Sequence, residues 1–207
     1  MKTLNFINPS KAVFIAVDLT NDSFPGGGLA VPNGHAVIDP TNRLIQLAVS
    51  NDIPVVFTRD WHKPDTKHFK PFGLWDPHNV QNTFGAEFHK DIIFPKGAYI
   101  LSKGMGDSDA YSAWDPEADI EGLTLPNWLR KNRRKILVSW GLATDYCVKF
   151  VVLDALKNGF EVIIITDAMV AVNPDDQLKA IKEMEDAGAY AMTVDELMTQ
   201  TNLKPVN

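Results

Sequence analysis

The 207-residue chain predicts an α/β fold, a single three-layer α/β/α domain on a mostly parallel, Rossmann-like sheet of about six strands. Three observations carry this. Short runs rich in Val and Ile alternate with longer amphipathic segments, the pattern of strand–helix–strand crossovers. The runs at 11–18, 136–138 and 161–166 are apolar almost throughout instead of alternating with polar residues, as strands covered on both faces must be. Several runs end on an ionisable residue, and in open parallel sheets the chemistry gathers at the carboxyl ends of strands. No repeat, low-complexity tract or linker divides the chain, so one domain is expected over 1–207.

The elements follow in order. AVFIAV at 12–17 is the first strand and delivers Asp18. A glycine-rich loop leads to a helix over 35–51, where Val37, Ile38, Leu44, Ile45, Leu47 and Ala48 share a face and Pro40 is a candidate interruption. The second strand, 53–58, runs into Arg59-Asp60-Trp61-His62. The stretch 63–97 is irregular and rich in His, Pro, Phe and Trp, and a loop of that length is usually functional. A third strand from 98 ends at Lys103, and a helix begins near Thr124-Leu125-Pro126.

The fourth strand opens at Ile136, and a break is expected at Gly141-Leu142-Ala143. Thr144 or Asp145 can then cap a helix over 146–158, with Gly159 as its stop. Its apolar stripe is Val148, Val151, Val152, Ala155 and Leu156. A fifth strand spans 161–166. Asn173-Pro174-Asp175-Asp176 starts a helix that Gly188 ends, and a sixth strand follows from Ala189.

Composition narrows the function. The net charge of −6 argues against a nucleic-acid surface and favours a small or neutral substrate. A single cysteine excludes an internal disulfide framework and fits a reducing cytosol, so a cytoplasmic location is expected. No run approaches a membrane span, and MKTLNFINPSK lacks a signal-peptide core. Association with further copies of the chain stays open.

Two constellations can carry chemistry. Cys147, in the first turn of its helix, is a candidate nucleophile if a base and a cation accompany it. Asp18 could take its proton and Lys103 could hold both groups in ionised form. Taken singly, a free cysteine is more often packed, a loop carboxylate more often a cap, and a lysine more often solvated. Asp60-x-His62 with His68 and His78 suits a divalent metal that keeps open positions, although an exposed loop needs none. Phe24, Phe69, Phe72, Trp75 and Tyr111 could line a flat slot for a ring. Gly26-Gly27-Gly28 is a turn, because no helix-opening phosphate motif follows it.

Five stretches, DLTND at 18–22, DWH at 60–62, WDPHNVQNTFGAEFH at 75–89, KGMGDSDAYSAW at 103–114 and GLATDYCV at 141–148, resemble the nicotinamidases among the isochorismatase-like cysteine hydrolases. The resemblance implies that fold, and a catalytic triad of Asp18, Lys103 and Cys147. It implies one divalent metal per chain on Asp60, His62 and His78, with His68 as a further candidate ligand, and zinc ahead of iron or manganese. It also implies a cis Leu142–Ala143 bond and an oxyanion hole from the N–H groups of Ala143 and Cys147. Trp75 matches the family's ring-packing tryptophan; Phe24, Tyr111 and Leu142 are expected beside it. Thr20 stands for the family's usual Gln, Asn79 and Asn82 for Cys and Gly, and Ser23 for a Phe that comes one place later here.

The activity implied is hydrolysis of nicotinamide to nicotinate and ammonia through a cysteine thioester. Another small amide or carbamoyl compound would use the same triad. A metal-activated-water hydrolase with Cys147 merely packed, and a pyridine-binding module without turnover, are the readings from other classes.

Overall fold

A computed structural model describes residues 6–107 and 109–204. Six strands form one sheet: β1 Ala12–Val17, β2 Val55–Asp60, β3 Tyr99–Lys103, β4 Ile136–Leu142, β5 Glu161–Val170 and β6 Tyr190–Met192. The spatial order is β3-β2-β1-β4-β5-β6 and every pairing is parallel. The order reverses between β1 and β4, and a crevice opens at the carboxyl ends there.

The helices are α1 Ile38–Ser50, α2 Leu125–Lys131, α3 Lys149–Lys157, α4 Gln177–Asp186 and α5 Val194–Gln200. Alternation along β1 sorts them into two layers. Ala12, Phe14 and Ala16 join a core with Leu44 and Ile45 of α1 and Leu197 of α5. Val13, Ile15 and Val17 join a second core with Trp128 of α2, Val151 and Val152 of α3, and Met184 of α4. All six β1 side chains are fully buried, which is why the run shows no polar alternation.

Several boundaries differ from the sequence expectation, each for a physical reason. The expected break at Gly141 is a continuation of β4, because Gly141 pairs with Val17 of β1 and Met169 of β5. Only glycine fits: φ is +125°, and a Cβ would lie 2.2 Å from the Val17 carbonyl oxygen. Residues 144–158 form a wide turn at Thr144–Val148 before α3 begins at Lys149. Neither Thr144 nor Asp145 caps it. The Asp145 carboxylate instead accepts the N–H groups of Val172 (2.9 Å) and Asn173 (3.1 Å), tying this turn to the segment after β5.

Pro40 does not interrupt α1, since it sits in the first turn, where its missing N–H has no helical partner to lose. The sequence reading passed over α5, whose start is a capping box between Thr193 and Glu196. The expected irregular stretch stays irregular, with one short turn at Phe84–Ala86 and isolated bridges at His62↔Val80 and Phe69↔Trp75. Asp22 pins it. Its carboxylate accepts Gly28 N–H (2.9 Å) and Asn79 N–H (2.7 Å), so the loop after β1 holds the turn carrying His78. No helix among the described residues is long and apolar enough to cross a membrane.

Candidate active site

Four strand ends converge on one cluster. Asp18 follows β1 with φ +50°, a left-handed conformation that Asp tolerates better than most residues. Thr58 of β2 fixes it: the Asp18 N–H donates to the Thr58 carbonyl (3.2 Å), and the Thr58 hydroxyl donates to Asp18 Oδ1 (2.6 Å). In-register pairing sets Asp60 beside Lys103 across β2 and β3. The fully buried Lys103 ammonium meets Asp60 Oδ1 at 2.5 Å, Asp18 Oδ2 at 2.9 Å and Cys147 Sγ at 3.6 Å. A buried cation is tolerable only with such partners.

The charge states follow. Burial works against the Lys103 charge, but the Asp18 and Asp60 carboxylates outweigh it and hold the ammonium well above its ordinary pKa. Burial raises the Asp18 carboxyl pKa, with Lys103 opposing and Asp60 adding to the rise. Burial also raises the Cys147 thiol well above its usual value; Lys103 opposes this and the two carboxylates reinforce it. The sequence reading has Lys103 holding both the carboxylate and the sulfur in ionised form. Here the carboxylates and burial prevail, so the resting group is a thiol beside an acceptor.

A second cluster lies next to the first. The ligand atoms of His62, His68 and His78 come within 4.8 Å of one another, and all three side chains are buried. Each Nδ1 has an acceptor: Gly104 O for His62 (2.8 Å), Asp109 Oδ1 for His68 (2.7 Å) and Asp76 O for His78 (2.8 Å). A carbonyl or carboxylate can only accept, so each Nδ1 carries the proton and each Nε2 presents a lone pair. His62 Nε2 is buried without a protein partner among the described residues. Burial, then the other two imidazoles and Lys103, lower the His62 pKa to about 3, and burial lowers that of His78 as well. Gly104 makes room, since a Cβ there would sit 2.5 Å from the His62 ring.

The geometry sorts the four expected ligands into two groups. His68 stands with His62 and His78 as an equal member. Asp60 instead spends Oδ1 on Lys103 and groups with Asp18 and Cys147. It remains near enough to His78 to favour that ring's protonated form.

Both clusters face a cleft with ≈ 490 Å³ of empty space, solvent at its mouth included. Trp75, Tyr111, Leu142, Ala143, Tyr146 and Cys147 are among its walls. Trp75 donates from Nε1 to the Tyr111 hydroxyl at 2.9 Å and meets Tyr146 edge-on at 5.6 Å. The Leu142–Ala143 bond is cis, as expected. Phe24 is a correction. The short turn Asn21–Ser23 directs Ser23 to the cleft and sends Phe24 into the core, 4.3 Å from the His89 ring. Phe72 is likewise no wall, being 79% exposed. The sequence reading passed over Asp109 and Tyr146 as cleft residues and noted Asn79 only as a departure from the family pattern. Asp109 carries no periodic signal, but its place two residues before Tyr111, in a stretch already singled out, could have marked it.

The isochorismatase domain model matches residues 12–196. The chain belongs to the isochorismatase family. Among isochorismatase-family relatives, the nicotinamidase of Escherichia coli (strain K12) is 38% identical over 205 residues, spanning 90% of this chain and 96% of the relative. The pyrazinamidase of Pyrococcus horikoshii, solved in complex with zinc, superposes with a TM-score of 0.82 at 37% identity, covering 88% of this chain and 99% of that one. PnC1 from L. infantum, solved in complex with nicotinate, gives a TM-score of 0.80 at 30% identity, covering 92% and 96%.

Proposed function

We propose that the chain is a single-domain nicotinamidase, hydrolysing nicotinamide to nicotinate and ammonia. One observation supports this above the others: the Lys103 ammonium touches Asp18, Asp60 and the Cys147 sulfur beneath a cleft walled by converging imidazoles and an indole. The relatives' activities and the nicotinate-bound neighbour point the same way.

In this reading Cys147 Sγ attacks the amide carbon while its proton passes to Asp18, a carboxylate whose basicity burial raises. The oxyanion is met by the N–H groups of Ala143 and Cys147, each such donor typically worth ~3–4 kcal/mol. Asp18 returns the proton to the departing nitrogen, the C–N bond breaks, and ammonia leaves a thioester. Water then attacks the thioester, gives Asp18 its proton, and releases nicotinate as the thiol re-forms. Lys103 keeps Asp18 close and oriented throughout.

The imidazole set fits a divalent cation, because three Nε2 lone pairs facing one another are unfavourable without a positive charge between them. His62, His68 and His78 would hold it, with Asp60 alongside. When bound, such an ion, zinc ahead of iron or manganese, would take the pyridine nitrogen and orient the ring. Trp75 and Tyr111 supply the wall against which the ring lies.

The test is ammonia release from nicotinamide beside a panel of aliphatic amides and carbamoyl compounds, with metal content measured on the same sample. Turnover of a carbamoyl compound with nicotinamide untouched would overturn the substrate. Retained turnover in Cys147→Ala would overturn the covalent route.

A further inference from the structure

We propose that Asp109 is a positioning residue of the metal centre, acting on the metal through His68. This rests on the metal reading given above. The segment after β3 supplies no member of the imidazole trio, yet its described residues make four hydrogen bonds to the loop that does. Gly104 O accepts His62 Nδ1–H at 2.8 Å, and Gly106 O accepts the Thr66 hydroxyl at 3.0 Å. Asp109 Oδ1 accepts His68 Nδ1–H at 2.7 Å, and the Tyr111 hydroxyl accepts Trp75 Nε1–H at 2.9 Å. One short strap therefore sets two imidazoles and the indole wall.

Within the strap, Asp109 differs in kind. The acceptors for His62 and His78 are backbone carbonyls, which the fold supplies whatever the side chain. The acceptor for His68 is a carboxylate. It fixes the ring's tautomer and rotation and makes Nε2 a stronger donor to a cation, as carboxylate partners of ligating histidines generally do. His68 needs such a partner. It lies on a loop with no strand or helix to hold its ring, and its side chain is only 2% exposed while that of Asp109 is 50% exposed. Asp109 also lines the cleft, so the contact sits at the centre's solvent side.

The experiment uses chelator-stripped protein reloaded with zinc. The dissociation constant is read by competition with a chromophoric chelator for the native chain, Asp109→Ala, Asp109→Asn and Tyr111→Phe. Loss of a histidine's outer partner typically weakens metal binding by about 10–100-fold, and that is the expected result for Asp109→Ala. Asp109→Asn keeps an oxygen acceptor and should lose less. Tyr111→Phe should bind zinc as the native chain does, and at saturating zinc Asp109→Ala should regain most of its turnover. Asp109 is half-exposed, and the melting temperature of the stripped variants checks that each folds as the native chain does. Zinc affinity of Asp109→Ala within two-fold of native would overturn the proposal. So would loss of the zinc stoichiometry at saturation in both Asp109 variants, which would make Asp109 a ligand. If the native chain takes up no zinc, the metal reading itself fails first, which separates the two.

Discussion

Replacing Lys103 by Met tests whether the buried cation holds the cluster together. Met nearly matches the lysine stem in volume, so packing is preserved and the charge is removed. What remains is Asp18 and Asp60, both buried, with oxygens within 4.8 Å of a common sulfur and of each other. At that separation two carboxylates repel by about 3.5 kcal/mol at an effective dielectric of ~20. This agrees with the ~3–5 kcal/mol usual for breaking a buried pair. For a chain of this size the loss corresponds to roughly 7–14 °C in Tm.

The effect has a sign in pH. The Asp18 pKa is already raised in the folded state, and losing Lys103, which lowers it, raises it further. A folded state that holds a proton more tightly than the unfolded chain is favoured in acid. That stability is fully present below the unfolded carboxylate pKa and is lost as pH rises through the folded value. The deficit of Lys103→Met relative to native protein should therefore be largest near pH 8 and shrink towards pH 5. The assay is thermal unfolding of both metal-free proteins at the two pH values. A deficit under ~1 kcal/mol at pH 8, or one that does not change with pH, would refute the reasoning.

Cys147→Ala should release no ammonia while melting close to the native protein, as read by calorimetry beside a coupled ammonia assay. In the native protein Cys147 should alkylate slowly with iodoacetamide at pH 7, because its thiol pKa is raised by burial; labelling as fast as a free thiol would contradict this. Asp18→Asn should lower kcat about 10²–10⁴-fold, the range for a lost general base, measured under saturating nicotinamide. Trp75→Ala should raise KM for nicotinamide strongly and leave a small aliphatic amide little changed, since ring stacking contributes roughly 0.5–1.5 kcal/mol beyond burial. Equal losses on both substrates would make Trp75 a support of its loop.

The sheet was legible because strands buried on both faces advertise themselves as unbroken apolar runs, and β1, β4 and β5 are of that kind. The placement of Asp18, Asp60, Lys103 and Cys147 followed from the rule about strand ends. Their charge states did not, because burial and mutual distance decide them and neither is written in spacing. Asp145 shows the same limit: its position suits a cap, yet its carboxylate is used across the chain at Val172 and Asn173. Phe24 and Ser23 differ by one position, and in a turn that decides which of them meets solvent in the cleft. Asp109 stands in a stretch the sequence already singled out, but nothing there ties it to His68. A side chain that acts on a neighbour's ring leaves no periodicity, and only the folded loop brings it to His68.

The reversal of strand order between β1 and β4 bears on how the molecule is made. The four clustered groups come from the ends of four strands spread from residue 18 to residue 147. No fragment shorter than the stretch 18–147 contains them, and each parallel pairing closes a long loop of chain before any contact rewards it, which makes such sheets slow to form. A partly assembled sheet would hold Lys103 with one carboxylate or none, a state that burial penalises. Turnover should therefore return late on refolding, together with the last tertiary signal and not with the first helical one. The enzyme's own activity would then serve as the reporter of its completed fold.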